Sequence, residues 1–121
     1  MGLPKFDYFE PRSLDEALSL MSGNSGDTCV VGGGTELYVQ MKQRLLARSK
    51  VVSLAKVPDM DKVYSGETGL TIGPAVTQSV LGVEAMIPPA YRGLAGAAGS
   101  VASPQIRNVA TIGGNACLTT R

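Results

Sequence analysis

Two glycine-rich segments are the residues whose types and spacing best suit the binding of a phosphate group. The first is Gly32-Gly33-Gly34-Thr35-Glu36-Leu37 and the second is Thr111-Ile112-Gly113-Gly114-Asn115. Glycine has no side chain to obstruct a ligand, and it tolerates positive φ angles. Successive backbone N–H groups in such a turn can bind an anion without a positively charged side chain. The chemistry to test at both segments is therefore phosphate binding.

The first segment follows a predicted strand and precedes a predicted helix, for which Thr35 is the expected N-cap. Unpaired N–H groups in the first helical turn, together with the helix dipole, favour an anion there. The pattern is neither GxGxxG nor a P-loop, because no lysine follows the glycines. Glu36 lies where an anion would bind, so its side chain is expected to point away along the helix. On the glycines alone, a structural turn without a ligand is the commoner explanation.

The second segment offers a hydroxyl from Thr111, an amide from Asn115 and, by expectation, unpaired N–H groups from Gly113 and Gly114. Its structural alternative is a hairpin or a bulge. Two such segments in one short chain favour a diphosphate held between them. Valine at Gly33 or Gly113 is then expected to fill the phosphate space and to leave most secondary structure intact.

The composition limits the chemistry that the chain can perform by itself. It has 121 residues, 44% of them hydrophobic, which is enough for a buried core in one domain or two small subdomains. There is no histidine, which excludes a Ser-His-Asp triad within this chain. The 11 basic and 10 acidic residues leave a net charge of +1, which argues against a nucleic-acid protein. Any chemistry must come from carboxylates, thiols, lysines or a bound cofactor.

The sequence predicts neither membrane insertion nor secretion. No run of 18 apolar residues is present, and the N-terminus lacks the apolar core of a signal peptide. We expect a cytoplasmic protein, in which Cys29 and Cys117 are free thiols.

The elements that position the first segment are predicted within residues 1–56. Ser13-Leu14-Asp15-Glu16 is typical of a capping box that opens a helix, with apolar residues following at helical spacing. A turn is expected at residues 23–27, strands at 28–31 and 51–54, and a helix at 36–48. The order strand, glycine loop, helix and strand predicts a parallel βαβ crossover.

A subdomain boundary is predicted near residue 57, so residues 57–121 form a second subdomain. Strands are expected at 62–65 and 70–72, joined by a turn at 66–69. Thr77 is expected to cap a short helix that runs to Glu84, and residues 91–101 to form a helix of small side chains. Residues 102–108 are expected to be irregular. The chain stops shortly after Asn115, so this subdomain is expected to be incomplete at its C-terminus.

Longer motifs around both glycine segments resemble a known family. Val30 to Leu37 with Met41-Lys42, and Ala102-Ser103-Pro104-Gln105-Ile106-Arg107-Asn108-Val109-Ala110 continuing to Asn115, resemble the two FAD motifs of the flavin subunits of molybdenum hydroxylases. These include the xanthine dehydrogenase FAD domain and the carbon monoxide dehydrogenase medium subunit. The resemblance begins near Phe6. The stretch Ala116 to Arg121 is similar to 4-hydroxybenzoyl-CoA reductase flavin subunits, although Cys117 alone is not expected to be an iron–sulfur ligand.

The resemblance implies an α+β chain with the FAD-binding fold of the vanillyl-alcohol oxidase or PCMH type. It implies no catalytic residue and no metal ligand in this chain. The implied FAD contacts are Val30, Val31, Gly32, Gly33, Gly34, Thr35, Glu36, Leu37, Val101, Thr111, Ile112, Gly113, Gly114 and Asn115.

The implied function is electron transfer through FAD, between an external donor or acceptor and iron–sulfur centres of a partner. The implied partners are a molybdenum-cofactor subunit and a small two-iron subunit, in a heterotrimer that could dimerise. An aromatic acyl-CoA such as 4-hydroxybenzoyl-CoA would be reduced in the 4-hydroxybenzoyl-CoA reductase subgroup, whereas electrons would leave through FAD in a xanthine or carbon monoxide dehydrogenase type. A non-catalytic assembly module and an ATP-binding protein are the alternatives from other classes.

Overall fold

The computed structural model describes residues 2–23, 26–83 and 86–118. The chain divides into two compact units, Met1–Pro58 and Asp59–Arg121. The boundary predicted from the sequence, between residues 56 and 57, lies two residues before this division.

A three-stranded parallel sheet forms the centre of the first unit. Its strands are β1 (Asp7–Phe9), β2 (Thr28–Val31) and β3 (Lys50–Ser53), in the order β1-β3-β2. Strand β3 pairs in parallel with both neighbours. The predicted parallel crossover from β2 to β3 is therefore confirmed. Strand β1 was not predicted, because three residues are too few to show a periodic pattern.

Helix α1 (Leu14–Met21) begins where the capping box predicts it. The Glu16 N–H donates to Ser13 Oγ at 3.1 Å, and the Arg12 N–H donates to the Glu16 carboxylate at 2.8 Å. Its apolar residues are less buried than their spacing suggests. Ala17 is buried, whereas Leu14 and Leu18 are 49% and 56% exposed.

Replacing Ser13 with alanine is expected to lower the free energy of unfolding by about 1 kcal/mol, because the Glu16 N–H loses its side-chain acceptor. Denaturant unfolding followed by circular dichroism measures this change. Ser19→Ala in the exposed part of the same helix is the matched control and should be nearly neutral. Equal losses from the two variants would contradict a capping role for Ser13.

Helix α2 (Leu37–Lys42) is shorter than the predicted helix over residues 36–48. It ends in a Schellman motif, in which the Leu45 N–H donates to the Gln40 carbonyl at 2.9 Å and the Arg44 N–H to the Met41 carbonyl at 3.1 Å. Arg44 occupies the left-handed position of this motif, with φ 61°. Glycine or asparagine usually fills that position, so the sequence contains no recognisable stop signal there.

The core of the first unit lies between the sheet and α2. Val31, Met41 and Val51 are buried in one cluster, with Phe6, Cys29, Leu37, Tyr38 and Leu46 packed around it. Val52, the next residue along β3, is also fully buried. Successive side chains of a strand point to opposite faces, so both faces of β3 are covered.

The second unit begins with an antiparallel hairpin and continues in short helices. The hairpin pairs β4 (Val63–Gly66) with β5 (Gly69–Ile72) in the predicted arrangement. The helices are α3 (Gln78–Leu81), a 3₁₀ turn (Pro89–Tyr91), α4 (Arg92–Gly99), α5 (Pro104–Arg107) and α6 (Ile112–Ala116). The core cluster contains Val76, Leu81, Ile87, Ala95 and Ala98.

Two predictions for this unit need correction or qualification. Thr77 caps α3 as expected, with its hydroxyl accepting from the Val80 N–H, but α3 ends at Leu81; Glu84 lies outside the described residues. Residues 102–108 are not irregular, because Ser103 caps α5 and Pro104 occupies its first turn. Serine followed by proline is a helix-start signal that could have identified α5.

Within residues 2–23, 26–83 and 86–118, no helix has both the length and the hydrophobicity that crossing a bilayer requires.

Candidate functional site

The first glycine segment lies in a tight loop between β2 and α2. Gly34 has φ +74°, in the left-handed region. A Cβ built on Gly34 would overlap the aromatic ring of Tyr38, one helical turn further on. Both the backbone angle and the space therefore require glycine at this position. Sequence reasoning did not identify Tyr38 as the residue that shapes this loop.

The backbone N–H groups of this loop have few partners within the protein. Within the described part of the chain, no backbone carbonyl accepts a hydrogen bond from the N–H groups of five successive residues, which are Gly32, Gly33, Gly34, Thr35 and Glu36. The loop's carbonyl at Gly34 accepts the Tyr38 N–H at 3.2 Å, which begins α2. Successive N–H groups without internal partners are the arrangement that binds phosphate oxygens.

Two side chains at the start of α2 differ in how well they match the prediction. Thr35 is not the N-cap; Glu36 has that position and makes no side-chain cap hydrogen bond. Glu36 does point along the helix as expected, because its Oε1 accepts from Gln40 Nε2 at 2.8 Å. The carboxylate is thus engaged on the exposed side of α2, which lessens its conflict with an anion at the loop.

The side chains that flank the loop mainly pack the unit. Val31 is 3% exposed and belongs to the core cluster, and Leu37 packs against the same cluster. Val30 pairs with Val52 and is half-buried. Burial raises the pKa of Tyr38 above its usual value of 10.0, so its phenol is neutral at physiological pH and adds no negative charge beside the loop.

The second glycine segment forms the first turn of α6, and here the expectation of unpaired N–H groups is wrong. The Ile112 N–H donates to the Val76 carbonyl at 2.9 Å, and the Gly113 N–H donates to the Pro74 carbonyl at 2.9 Å. These bonds join the segment to the chain that leads into α3. The prediction failed because the acceptors come from tertiary structure, which the local sequence does not show.

The next two N–H groups of α6 are also occupied. The Gly114 N–H donates to Thr111 Oγ1 at 3.1 Å, and the Asn115 N–H donates to the Thr111 carbonyl at 3.0 Å. Thr111 is therefore the N-cap of α6, rather than part of a hairpin or bulge. Its carbonyl also accepts from the buried side chain of Gln78, Nε2 at 3.4 Å.

Gly113 is required by packing against the protein itself. A Cβ at Gly113 would lie 2.7 Å from both the Cβ and the carbonyl oxygen of Pro74. The expectation that this direction holds the phosphate space is therefore wrong. Pro74 and Gln78, which hold the segment, were not identified as supporting residues from the sequence.

Asn115 and Gly114 remain accessible to a ligand in this segment. Both are exposed, and the carboxamide of Asn115 makes no hydrogen bond to the described residues. Val101 is half-buried in the turn that follows α4. The second unit can therefore contact a ligand through an amide side chain and a bare glycine surface.

The two cysteines differ in their exposure: Cys29 is half-buried and Cys117 is exposed. Cys29 and Cys117 are both free thiols. Burial raises the pKa of the Cys29 thiol, which keeps it protonated at neutral pH. Across the described ranges, no three His, Cys, Asp or Glu side chains are grouped so that they could hold a metal ion.

The sequence of the chain matches a family model over residues 4–121. The model describes the FAD-binding domain in molybdopterin dehydrogenase. The chain belongs to this family. Membership confirms the resemblance to the flavin subunits of molybdenum hydroxylases.

Relatives of this FAD-binding domain agree with the assignment. The chain is 32% identical to the nicotinate dehydrogenase FAD-subunit of Eubacterium barkeri, over 91% of this chain and 38% of that protein. It is also 32% identical to the xanthine dehydrogenase FAD-binding subunit of Escherichia coli O157:H7, over 91% of this chain and 38% of that protein. The chain thus spans about two fifths of the length of the curated relatives that it matches.

A solved structure shows the same mixed α/β fold. Carbon monoxide dehydrogenase from Hydrogenophaga pseudoflava, in a form that lacks the Mo-pyranopterin moiety of its cofactor, aligns with a TM-score of 0.85 at 28% identity. The alignment covers 96% of this chain and 40% of that chain. In this FAD-binding domain, the N–H groups of Gly32 to Glu36 have no backbone partner among the described residues, which is the property that a phosphate site requires.

Proposed function

We propose that this chain is the FAD-binding part of an electron-transfer subunit in a molybdenum-containing oxidoreductase. The observation that carries the proposal is the family match over residues 4–121. When bound, FAD supplies one- and two-electron chemistry, while the protein supplies binding, orientation and electrostatics. The absence of histidine in the chain is compatible with this division of roles.

The two glycine segments bind FAD in different ways in this proposal. Gly32, Gly33, Gly34 and Thr35 hold the pyrophosphate through their open N–H groups, which have no partner in the backbone of the described residues. Because the N–H groups of the Gly113-Gly114 turn are occupied, that segment contributes the Asn115 amide and a surface without side chains. Val101 contributes an apolar contact. The two units are then two FAD-binding subdomains.

Absorption spectroscopy tests the proposal directly. The purified protein should be yellow, or should become so when FAD is added, with the two visible bands of an oxidised flavin. Titration with ATP is the comparison that separates FAD recognition from general nucleotide binding. A colourless protein that refuses added FAD would favour a non-catalytic assembly module, and binding of ATP alone would favour the nucleotide-binding alternative.

Replacing Asn115 with alanine is expected to weaken FAD binding about tenfold, since that corresponds to about 1.4 kcal/mol, the scale of one hydrogen bond. The free energy of unfolding should change by less than about 0.5 kcal/mol, because the side chain is exposed. Flavin fluorescence titration measures the affinity. Gln105→Ala removes another exposed amide from the same unit and should leave the affinity unchanged. Unchanged binding by the Asn115 variant would remove this residue from the site.

The partners in this proposal are a subunit with a molybdenum cofactor, where substrate is converted, and a small two-iron subunit. The support is indirect: relatives are named as FAD subunits or medium chains of dehydrogenases. Co-expression with these subunits followed by size-exclusion chromatography tests the heterotrimer and any dimer of it. Failure of the three chains to co-elute would contradict the assembly without affecting FAD binding.

We further propose that the complex reduces an aromatic acyl-CoA such as 4-hydroxybenzoyl-CoA. The support is the likeness of Ala116 to Arg121 to that subgroup, of which residues 119–121 lie outside the described part of the chain. Relatives are named for the oxidation of xanthine, nicotinate and carbon monoxide, which favours the opposite direction of electron flow. Supplying the complete complex with a low-potential reductant and 4-hydroxybenzoyl-CoA, or with xanthine and an oxidant, decides between the two.

A further inference from the structure

The turn between α4 and α5 has an unusual backbone for its sequence. After α4 ends at Gly99, the Val101 N–H still donates to the Ala98 carbonyl at 3.3 Å. Ala102 then has φ 41°, a left-handed conformation that is unfavourable for an alanine. Ser103 follows at once as the cap of α5. The turn is therefore short and needs an interaction that holds Ala102 in this conformation.

Arg107 supplies that interaction from the end of α5. Its Nη1 donates to the Val101 carbonyl at 2.8 Å and to the Ala102 carbonyl at 3.3 Å. Among the described residues no carboxylate forms a salt bridge with Arg107. Its charge is therefore directed at the carbonyl groups just beyond the C-terminus of α4, where a cation is favoured by the helix dipole.

Removing the Arg107 contact is expected to affect the turn itself more than the stability of the whole unit. Val101 is half-buried and Ala102 is exposed, so water can hydrogen-bond to their carbonyls if the guanidinium is removed. The loss of global stability should then be small. The turn, however, would lose the bonds that favour its left-handed residue, and Val101 would sample several positions.

We propose that Arg107 is a positioning residue for FAD, which acts by fixing the turn that presents Val101. The inference rests on the proposed FAD-binding function, and it adds a residue that does not itself touch the cofactor. A side chain that orders its contact residue in advance improves affinity because binding no longer has to order the turn.

The test compares Arg107→Gln with Arg92→Gln, an exposed arginine of the same unit. Arg107→Gln should weaken FAD binding about tenfold and broaden the visible flavin spectrum, whereas Arg92→Gln should do neither. The denaturant midpoint should shift little in both. In the flavin-free protein, amide exchange at Val101 should accelerate in Arg107→Gln while exchange at Ala95 stays unchanged.

A second variant separates positioning from general destabilisation. Adding Ala102→Gly to Arg107→Gln should restore part of the FAD affinity, because glycine adopts positive φ readily. The recovered affinity should come from the conformation of the turn and not from a higher free energy of unfolding. Arg107→Lys should bind FAD with an affinity between those of the wild type and Arg107→Gln, since one ammonium group reproduces the charge and not the guanidinium geometry. Wild-type affinity and exchange in Arg107→Gln would overturn the inference. If the unmodified protein binds no FAD, the proposed function fails and this inference fails with it.

Discussion

Replacing Gly113 with valine should strongly destabilise the second unit, and FAD binding should weaken as a consequence. The new Cβ would lie 2.7 Å from the Pro74 carbonyl oxygen and 3.0 Å from its Cα, and backbone atoms cannot move aside cheaply. The same displacement would break the hydrogen bond from the Gly113 N–H to Pro74. We expect a loss of about 3 kcal/mol, a large share of the stability of a small domain.

Guanidinium unfolding measures this loss, and Gly96→Ala is the matched control. Gly96 lies in α4 with nothing within 4 Å of a built Cβ, so alanine there should raise the free energy of unfolding by about 0.5 kcal/mol or more. A Gly113→Val protein that keeps its denaturation midpoint and loses only FAD would show that the Pro74 contact is not the constraint.

Replacing Gly34 with alanine should lower the free energy of unfolding by about 2 kcal/mol and should weaken FAD binding, because two unfavourable effects coincide. The backbone angle of φ +74° is unfavourable for alanine, and the new methyl group would displace the Tyr38 ring. That ring is stacked near Phe6, with centroids 6.3 Å apart, so it cannot leave its position freely. The displaced loop would no longer present its N–H groups together.

A double-mutant cycle with Tyr38→Ala separates the two penalties. Without the ring, Gly34→Ala should lower the free energy of unfolding only by the penalty for the positive φ angle, which is about 1 kcal/mol. Urea unfolding of the four proteins gives the coupling energy, and FAD titration shows whether affinity follows it. An equal cost of Gly34→Ala in both backgrounds would mean that the ring does not obstruct the methyl group.

Local signals in the sequence predicted most of the elements. Ser13 and Thr77 cap helices where their spacing indicates, and the β2-α2-β3 crossover and the β4-β5 hairpin are as expected. These features depend on residues that are close together in the chain. Hydrogen-bond patterns of this kind are encoded in short motifs.

The remaining features depend on contacts that no local motif encodes. Helix α2 ends at Lys42, and the left-handed Arg44 follows two residues later, where composition alone suggests that the helix continues. The Gly113 N–H is occupied by the distant Pro74 carbonyl, so two glycine segments that look alike in sequence offer different hydrogen-bonding capacity. Family motifs identified the cofactor in advance, but only the backbone shows which segment has open donors.

The cap of α6 also has a consequence for the order in which the protein folds. A helix of five residues is not stable by itself, and α6 depends on acceptors at Pro74 and Val76 and on the Gln78 side chain, 33 positions before Thr111. That loop must close before α6 can form, and closure of a long loop is slow relative to local helix formation. The second segment should therefore be among the last parts of its unit to fold, and capture of flavin should follow this step rather than guide it.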